Sequence, residues 1–163
     1  MKTLLILRHA KSSWDHPGLR DHDRPLNPRG RRDAPRMGRF LVERDLVPGR
    51  IVSSTAVRAR TTAELASAEF DREVEIETTS DLYHASPDGY IEVAEAMGGG
   101  AERLMVVGHN PGVTSLVRQL TGAGEYMPTA ALAAVELDID DWWDLGSAPR
   151  GRLIGLWRPK ALA

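Results

Sequence analysis

The sequence predicts an α/β fold: a single domain over residues 1–163, built as a three-layer sandwich. Its central sheet is expected to be mostly parallel, with helices on both faces and an antiparallel strand pair near the C-terminus. Three observations predict it. Short apolar runs recur along the chain, segments with helical spacing separate them, and the last two strand-like runs have no helical segment between them.

The first apolar run, Thr3 to Leu7, is short and continuous, as in a parallel strand buried on both faces, and it leads into Arg8 and His9. Similar runs follow at Arg50 to Ser53 and Leu104 to Val107, and Val74 to Glu77 forms a weaker one. Between them, Ala34, Met37 and Leu41 fall at i, i+3 and i+7, and Ala59, Ala63 and Ala66 also share a helical face. Pro87 to Met97 predicts a further helix, which Gly98-Gly99-Gly100 closes as a cap and turn. That triplet follows a helix and precedes a strand, the reverse of the order a dinucleotide-binding glycine loop needs. Asn27-Pro28 and Asn110-Pro111 each read as a helix start, with Asn as cap and Pro at the first helical position. Pro35 is expected to kink or delay the first helix. Ala130 to Asp138 and Arg152 to Trp157 form the antiparallel pair, and Asp138, Asp140, Asp141 and Asp144 between them read as a polar turn. They lack the glycine and terminal glutamate of a calcium loop.

Composition narrows the chemistry. With 163 residues, 42% of them hydrophobic, the chain can bury the core of one soluble domain. No apolar run approaches the roughly 20 residues of a membrane span. The apolar stretch after Lys2 is cut short by Arg8, so no signal peptide and a cytoplasmic location are expected. The absence of cysteine removes thiol nucleophiles, disulfides and Cys-ligated zinc, and the five histidines show no H-E-x-x-H spacing; no metal or other cofactor is expected. A net charge of −2 argues against general affinity for nucleic acid. It conceals an asymmetry: residues 1–60 carry 14 Lys and Arg against 6 Asp and Glu, a balance of +8, and residues 61–163 carry 7 against 17, a balance of −10. Solvated helix faces account for this asymmetry, and so would an anion-binding mouth in the basic half.

Ligands of open α/β sheets bind at the carboxyl ends of parallel strands, and two such ends here present a histidine, His9 and His109. A lone histidine is usually structural. These two each stand beside an anion-binding feature: His9 beside Arg8, and His109 at a helix start whose free amides and dipole favour negative charge. A transferring phosphoryl group spreads charge over three oxygens and needs several fixed donors, for which the planar fork of arginine is suited. Arg8, Arg24 and Arg58 are the candidate suppliers, although spacing alone does not separate Arg58 from a surface arginine such as Arg60. His16 and His22 lie in the polar stretch Asp15 to Asp23 and are expected in solvent. Trp14 reads as a packing residue or as part of a site mouth, and the cluster Arg29, Arg31, Arg32, Arg36 and Arg39 as a solvated helix face or a surface for an acidic partner.

Four blocks in order, Leu7-Arg8-His9-Ala10-Lys11-Ser12, Arg24-Pro25-Leu26-Asn27-Pro28-Arg29-Gly30, Ser53 to Ala63 and Val107-Gly108-His109-Asn110-Pro111-Gly112, resemble the histidine phosphatase superfamily, and most of all its small SixA-type phosphohistidine phosphatases. The resemblance implies a metal-independent phosphatase of the phosphoglycerate mutase-like fold. In it His9 would attack phosphorus, giving a phosphohistidine intermediate that water hydrolyses, while Arg8, Arg58 and His109 hold the phosphoryl oxygens. It selects Arg58 as the arginine immediately before the block's alanine, and it suggests Arg24 as a further substrate contact. Ala10 stands where the commonest form of the motif has glycine, with little effect expected. Many relatives place a glutamate proton donor in a leucine-x-glutamate pattern. The matching Leu82-Tyr83-His84 ends in histidine, which leaves His84, the neighbouring Asp81 or no dedicated acid as alternatives.

The expected partner is a phosphorylated substrate. Short connections between the blocks leave no room for an inserted cap, which favours phosphohistidine on a signalling protein. A small phosphomonoester comes second, followed by a phosphate-binding module without turnover. A phosphotransferase or mutase is disfavoured, because it must exclude water.

Overall fold

A computed structural model of the protein describes residues 1–162. Ten main elements follow in order: β1 (Lys2–Arg8), α1 (Pro28–Glu43), β2 (Arg50–Ser54), α2 (Val57–Ser67), β3 (Ile76–Thr79), α3 (Pro87–Met97), β4 (Arg103–Gly108), α4 (Gly112–Thr121), β5 (Leu132–Leu137) and β6 (Arg152–Trp157). The six strands form one sheet in the order β3-β2-β4-β1-β5-β6. The first four in that order run parallel; β5 is antiparallel to both β1 and β6. The α/β sandwich, its mostly parallel sheet and its C-terminal antiparallel pair match the sequence expectation.

Strand alternation divides the core into two layers. Leu4 and Ile6 of β1 face α3 and α4 in one cluster, and Leu5 and Leu7 face α1 and α2 in the other. All four are at most 1% exposed, so each contributes on the order of 1.5–3 kcal/mol by leaving water. This two-sided burial is why β1 reads as an uninterrupted apolar run. On the second face α1 crosses α2 at Gly38, where a Cβ would collide with the Ala66 carbonyl oxygen. Gly38→Ala must therefore push two helices apart. It is expected to cost about 1–3 kcal/mol, read as a lowered urea midpoint, while the exposed control Arg31→Ala leaves the midpoint unchanged.

Several boundaries differ from expectation. The edge strand β3 begins at Ile76, and Val74 precedes it half-buried, because an edge strand needs less apolar patterning and so marks its limits weakly. Ala130, expected in the first strand of the antiparallel pair, instead has φ 61° in the turn before β5. α1 runs unbroken past Pro35, its N-terminus capped by the Asn27 side chain accepting from Gly30 N–H, with Pro28 at the first position as expected. At α4 the helix begins one residue later than Asn110-Pro111 suggests: Pro111 occupies the cap position, and the Asn110 carboxamide accepts from the N–H and hydroxyl of Thr114. The segment between β5 and β6 is more than a polar turn. Its 3₁₀ segment Trp142–Ser147 buries Trp142 and Leu145 in the core beneath α3. Among the described residues no helix is long and apolar enough to cross a membrane.

Candidate active site

The site follows from the pairing of β1 with β4. Arg8 is in register with Gly108, and His9 N–H donates to the Gly108 carbonyl at 3.0 Å, so the next residue of each strand, His9 and His109, emerges beside the other. Their ring centroids are 5.1 Å apart. Gly108 is required where it stands, because a Cβ would overlap the Tyr90 hydroxyl, which accepts from His109 N–H at 3.0 Å. Ala10 is fully buried, and its N–H donates to Thr62 Oγ1, whose hydroxyl in turn donates to the Arg58 carbonyl. That chain of bonds ties the loop after β1 to α2.

The tautomer of His9 follows from its partner. Nδ1 lies 2.7 Å from the Ala10 carbonyl oxygen, which only accepts, so Nδ1 carries the hydrogen and the lone pair is on Nε2. Burial above all lowers the His9 pKa to about 3, assisted by His109, Arg58 and Arg8 and opposed by the Ala10 bond. His109 is also lowered to about 3, by burial first and then by Arg58, with Asp21 acting in the opposite sense. Its Nε2 lies 2.9 Å from Ser54 Oγ. Ser54 Oγ accepts from Ala56 N–H and can give its single proton to Nε2, an arrangement that places the hydrogen of the neutral ring on Nδ1.

Three arginines surround this pair. Arg8 Nη1 donates to Tyr126 Oη and the Met127 carbonyl. Arg58, on the first turn of α2, donates through Nη1 and Nη2 to the carbonyl and carboxylate of Asp21 at 2.7 and 2.9 Å. Arg24 reaches Ser12, Ser13 and Asp21, with the Trp14 ring stacked 3.3 Å from its guanidinium carbon. Arg58 and Arg24 are buried, whereas Arg60 is exposed beside Glu64; folding thus separates arginines that spacing could not. The buried side-chain nitrogens without a partner among the described residues are Arg8 Nε and His109 Nδ1, both in this site. A buried, unpaired guanidinium donor and a buried, unpaired imidazole nitrogen beside a neutral, lone-pair-bearing imidazole suit an anion.

Asp21 was not singled out in the sequence. It accepts from Arg24, Arg58 and the Tyr83 hydroxyl, and these bonds, that from Tyr83 foremost, hold its carboxyl well below the usual carboxylate range. Only its i, i+3 spacing to Arg24 in a turn-prone stretch hinted at it. His22, expected in solvent, is half-buried: its Nε2 lies 2.9 Å from Thr55 Oγ1 and its ring meets Tyr83 edge-on, so it braces the site wall. His16 is exposed as expected, and Trp14 is 73% exposed at the rim. His84 stacks against Tyr83 and lines a cavity of about 360 Å³ together with Arg58 and His109, whereas Asp81 is exposed and does not line it.

The two buried histidines couple the site to stability. Between pH 6.5 and about 3 the unfolded chain takes up protons at His9 and His109 that the folded chain refuses, so stability present above pH 6.5 is lost as pH falls. Asp21 acts in the same direction at lower pH. The melting temperature is expected to fall from pH 7 to pH 4, less steeply in His109→Asn; an unchanged slope in that variant would contradict the assignment.

A family model of the histidine phosphatase superfamily (branch 1) matches residues 4–85, the span that carries His9, Arg24, Arg58 and Asp21. The chain belongs to the histidine phosphatase superfamily. An uncharacterized chloroplast protein of Arabidopsis thaliana is 33% identical over 176 residues, covering 97% of this chain and 78% of that protein. The structure of a protein assigned as the phosphohistidine phosphatase SixA of Agrobacterium tumefaciens superposes with a TM-score of 0.81 at 30% identity, over 97% of this chain and 98% of that one. A second structure so assigned, from Nakamurella multipartitia, gives 0.82 at 28% identity over 97% and 96%. These likenesses make this histidine phosphatase a hydrolase of the SixA type.

Proposed function

We propose that the enzyme removes phosphate from phosphohistidine on a protein, with His9 as nucleophile. The observation that carries this is the state of His9: buried, neutral, hydrogen on Nδ1 and lone pair on Nε2, with Arg8 Nε and His109 Nδ1 buried and unpaired in the same site. In the first step the Nε2 lone pair forms the bond to phosphorus while the bond from phosphorus to the substrate's imidazole nitrogen breaks, its electron pair leaving with that nitrogen. In the second, a water oxygen bonds to phosphorus, the Nε2 bond breaks, its electrons return to His9, and the water's proton passes to solvent. Arg8, Arg58 and His109 hold the equatorial oxygens through both steps, and Arg24 contacts the substrate. The substrate ring leaves as neutral imidazole when its other nitrogen carries a proton, and an imidazolium ordinarily titrates near pH 6.5, so that proton is in place in part of the substrate at neutral pH. His84, on the wall of the same cavity, supplies the proton when one is needed. Asp21 is held anionic and does not.

A protein substrate is favoured by the rim. Trp14 and Tyr126 are 73% and 59% exposed, one stacked on Arg24 and the other bonded to Arg8, so aromatic surface stands beside the phosphate-holding groups as at protein interfaces. The test compares kcat/KM on a phosphohistidine-bearing protein with that on sugar phosphates. The protein is expected to be preferred by about two orders of magnitude, a difference of about 2.7 kcal/mol; a reversed preference would assign the enzyme to small phosphomonoesters.

A further inference from the structure

A second basic feature lies outside the site. Arg29, Arg32 and Arg36 of α1 line a cavity of about 390 Å³ together with Arg158 and Lys160 from the chain after β6; Asp33 is the acidic residue among the lining groups. The three α1 arginines fall at i, i+3 and i+7, on one helix face and about 10 Å apart end to end. Asp33 lies 3.6 Å from both Arg29 and Arg36, and Glu125 lies 2.9 Å from Arg158. Two carboxylates thus face five cations. Arg32 and Lys160 are exposed and have no ion-pair partner among the described residues. A solvated helix face accounts for arginines on α1, but not for a concave site completed by a second, distant segment of basic residues.

The cavity and the active site share one loop. Pro128 and Thr129 line the cavity. In the same loop Tyr126 accepts from Arg8, and Ala130 N–H donates to the Arg8 and His9 carbonyls at 3.1 and 3.0 Å. A chain bound in the cavity therefore lies against the segment that holds Arg8. We propose that this cavity docks an acidic segment flanking the phosphohistidine of the substrate protein, an inference that rests on the protein-substrate reading above. A stripe of about 10 Å matches roughly three residues of extended peptide. Opposite charge across such a rim acts on encounter and register, and so on KM, more than on the chemical step.

The test uses two synthetic phosphohistidine peptides, one flanked by glutamates and one by serines, with free phosphohistidine as the small substrate. The variant Arg32→Glu/Lys160→Glu reverses the two unpaired cations, and Arg31→Glu/Arg118→Glu makes the same change of net charge at exposed positions outside the cavity. The cavity variant is expected to raise KM for the glutamate-flanked peptide about ten-fold. It should leave kcat, the serine-flanked peptide and free phosphohistidine unchanged, and the control pair should change none of them. Equal KM values for the two peptides in the unmodified enzyme, or equal effects of both variant pairs, would overturn the proposal. So would tripolyphosphate binding that the cavity variant abolishes while the peptides remain undistinguished, which would mark a small-polyanion site. Anisotropy with the unphosphorylated peptides separates this inference from the proposed activity. If no phosphohistidine substrate is turned over, the activity fails; docking is then read from anisotropy alone, and it fails if the glutamate-rich peptide binds the cavity variant as tightly as the unmodified enzyme.

Discussion

His9→Ala is expected to lower kcat by roughly 10⁴-fold or more, the scale set by removing a covalent nucleophile. With no cysteine the chain offers no thiol substitute, and of the other cavity histidines His109 has its Nε2 engaged by Ser54, while His84 stacks against Tyr83. Rapid quenching with phosphorus-labelled substrate should trap protein-bound label that is acid-labile and base-stable in the unmodified enzyme and absent from the variant. Label that persists in His9→Ala would move the nucleophile elsewhere. The variant should still fold, because the loop after β1 is also held by the His9 N–H bond to Gly108 and the Ala10 N–H bond to Thr62, neither of which uses the imidazole.

Arg58→Ala is expected to have the next largest effect, a loss of about 10²–10³-fold in both kcat and kcat/KM, because its fork serves charge that develops in the transition state. Arg58→Lys keeps the charge but loses the paired donors and should recover only part of the loss. The fold should survive, since Asp21 is half exposed and retains Arg24 and Tyr83 as partners. Arg60→Ala, two residues on and exposed, should remain within about two-fold of the unmodified enzyme, and steady-state kinetics on one substrate separates the two arginines. A comparable loss in Arg60→Ala would mean that the wrong arginine faces the substrate.

Much of the site was legible because its residues sit where the chain leaves a strand. The apolar run Leu4 to Leu7 marks β1 and therefore locates His9, and Leu104 to Val107 does the same for His109. Asn27-Pro28 announced α1 because its capping interaction lies within four residues. Asp21 and His22 were not legible. Their partners, Arg58, Tyr83 and Thr55, lie more than 30 residues away, and no local pattern selects one aspartate from the polar stretch between Asp15 and Asp23. Trp142 and Leu145 were missed for a related reason, since apolar residues interspersed with aspartates resemble a turn until α3 covers two of them and leaves Trp143 in solvent.

By itself, the sequence determined the layered α/β architecture, the order of its strands and helices along the chain, and the two strand ends that carry histidine. Those features depend on periodicity, burial and caps that act over a few residues. Only the tertiary structure decided which arginine is buried against Asp21 and which nitrogen of His9 holds the lone pair. It also decided how far burial lowers both histidines, and that five basic residues from two distant segments enclose one cavity. Each of these depends on desolvation and on charges brought together from segments far apart in the chain, quantities that do not exist until the sheet has formed.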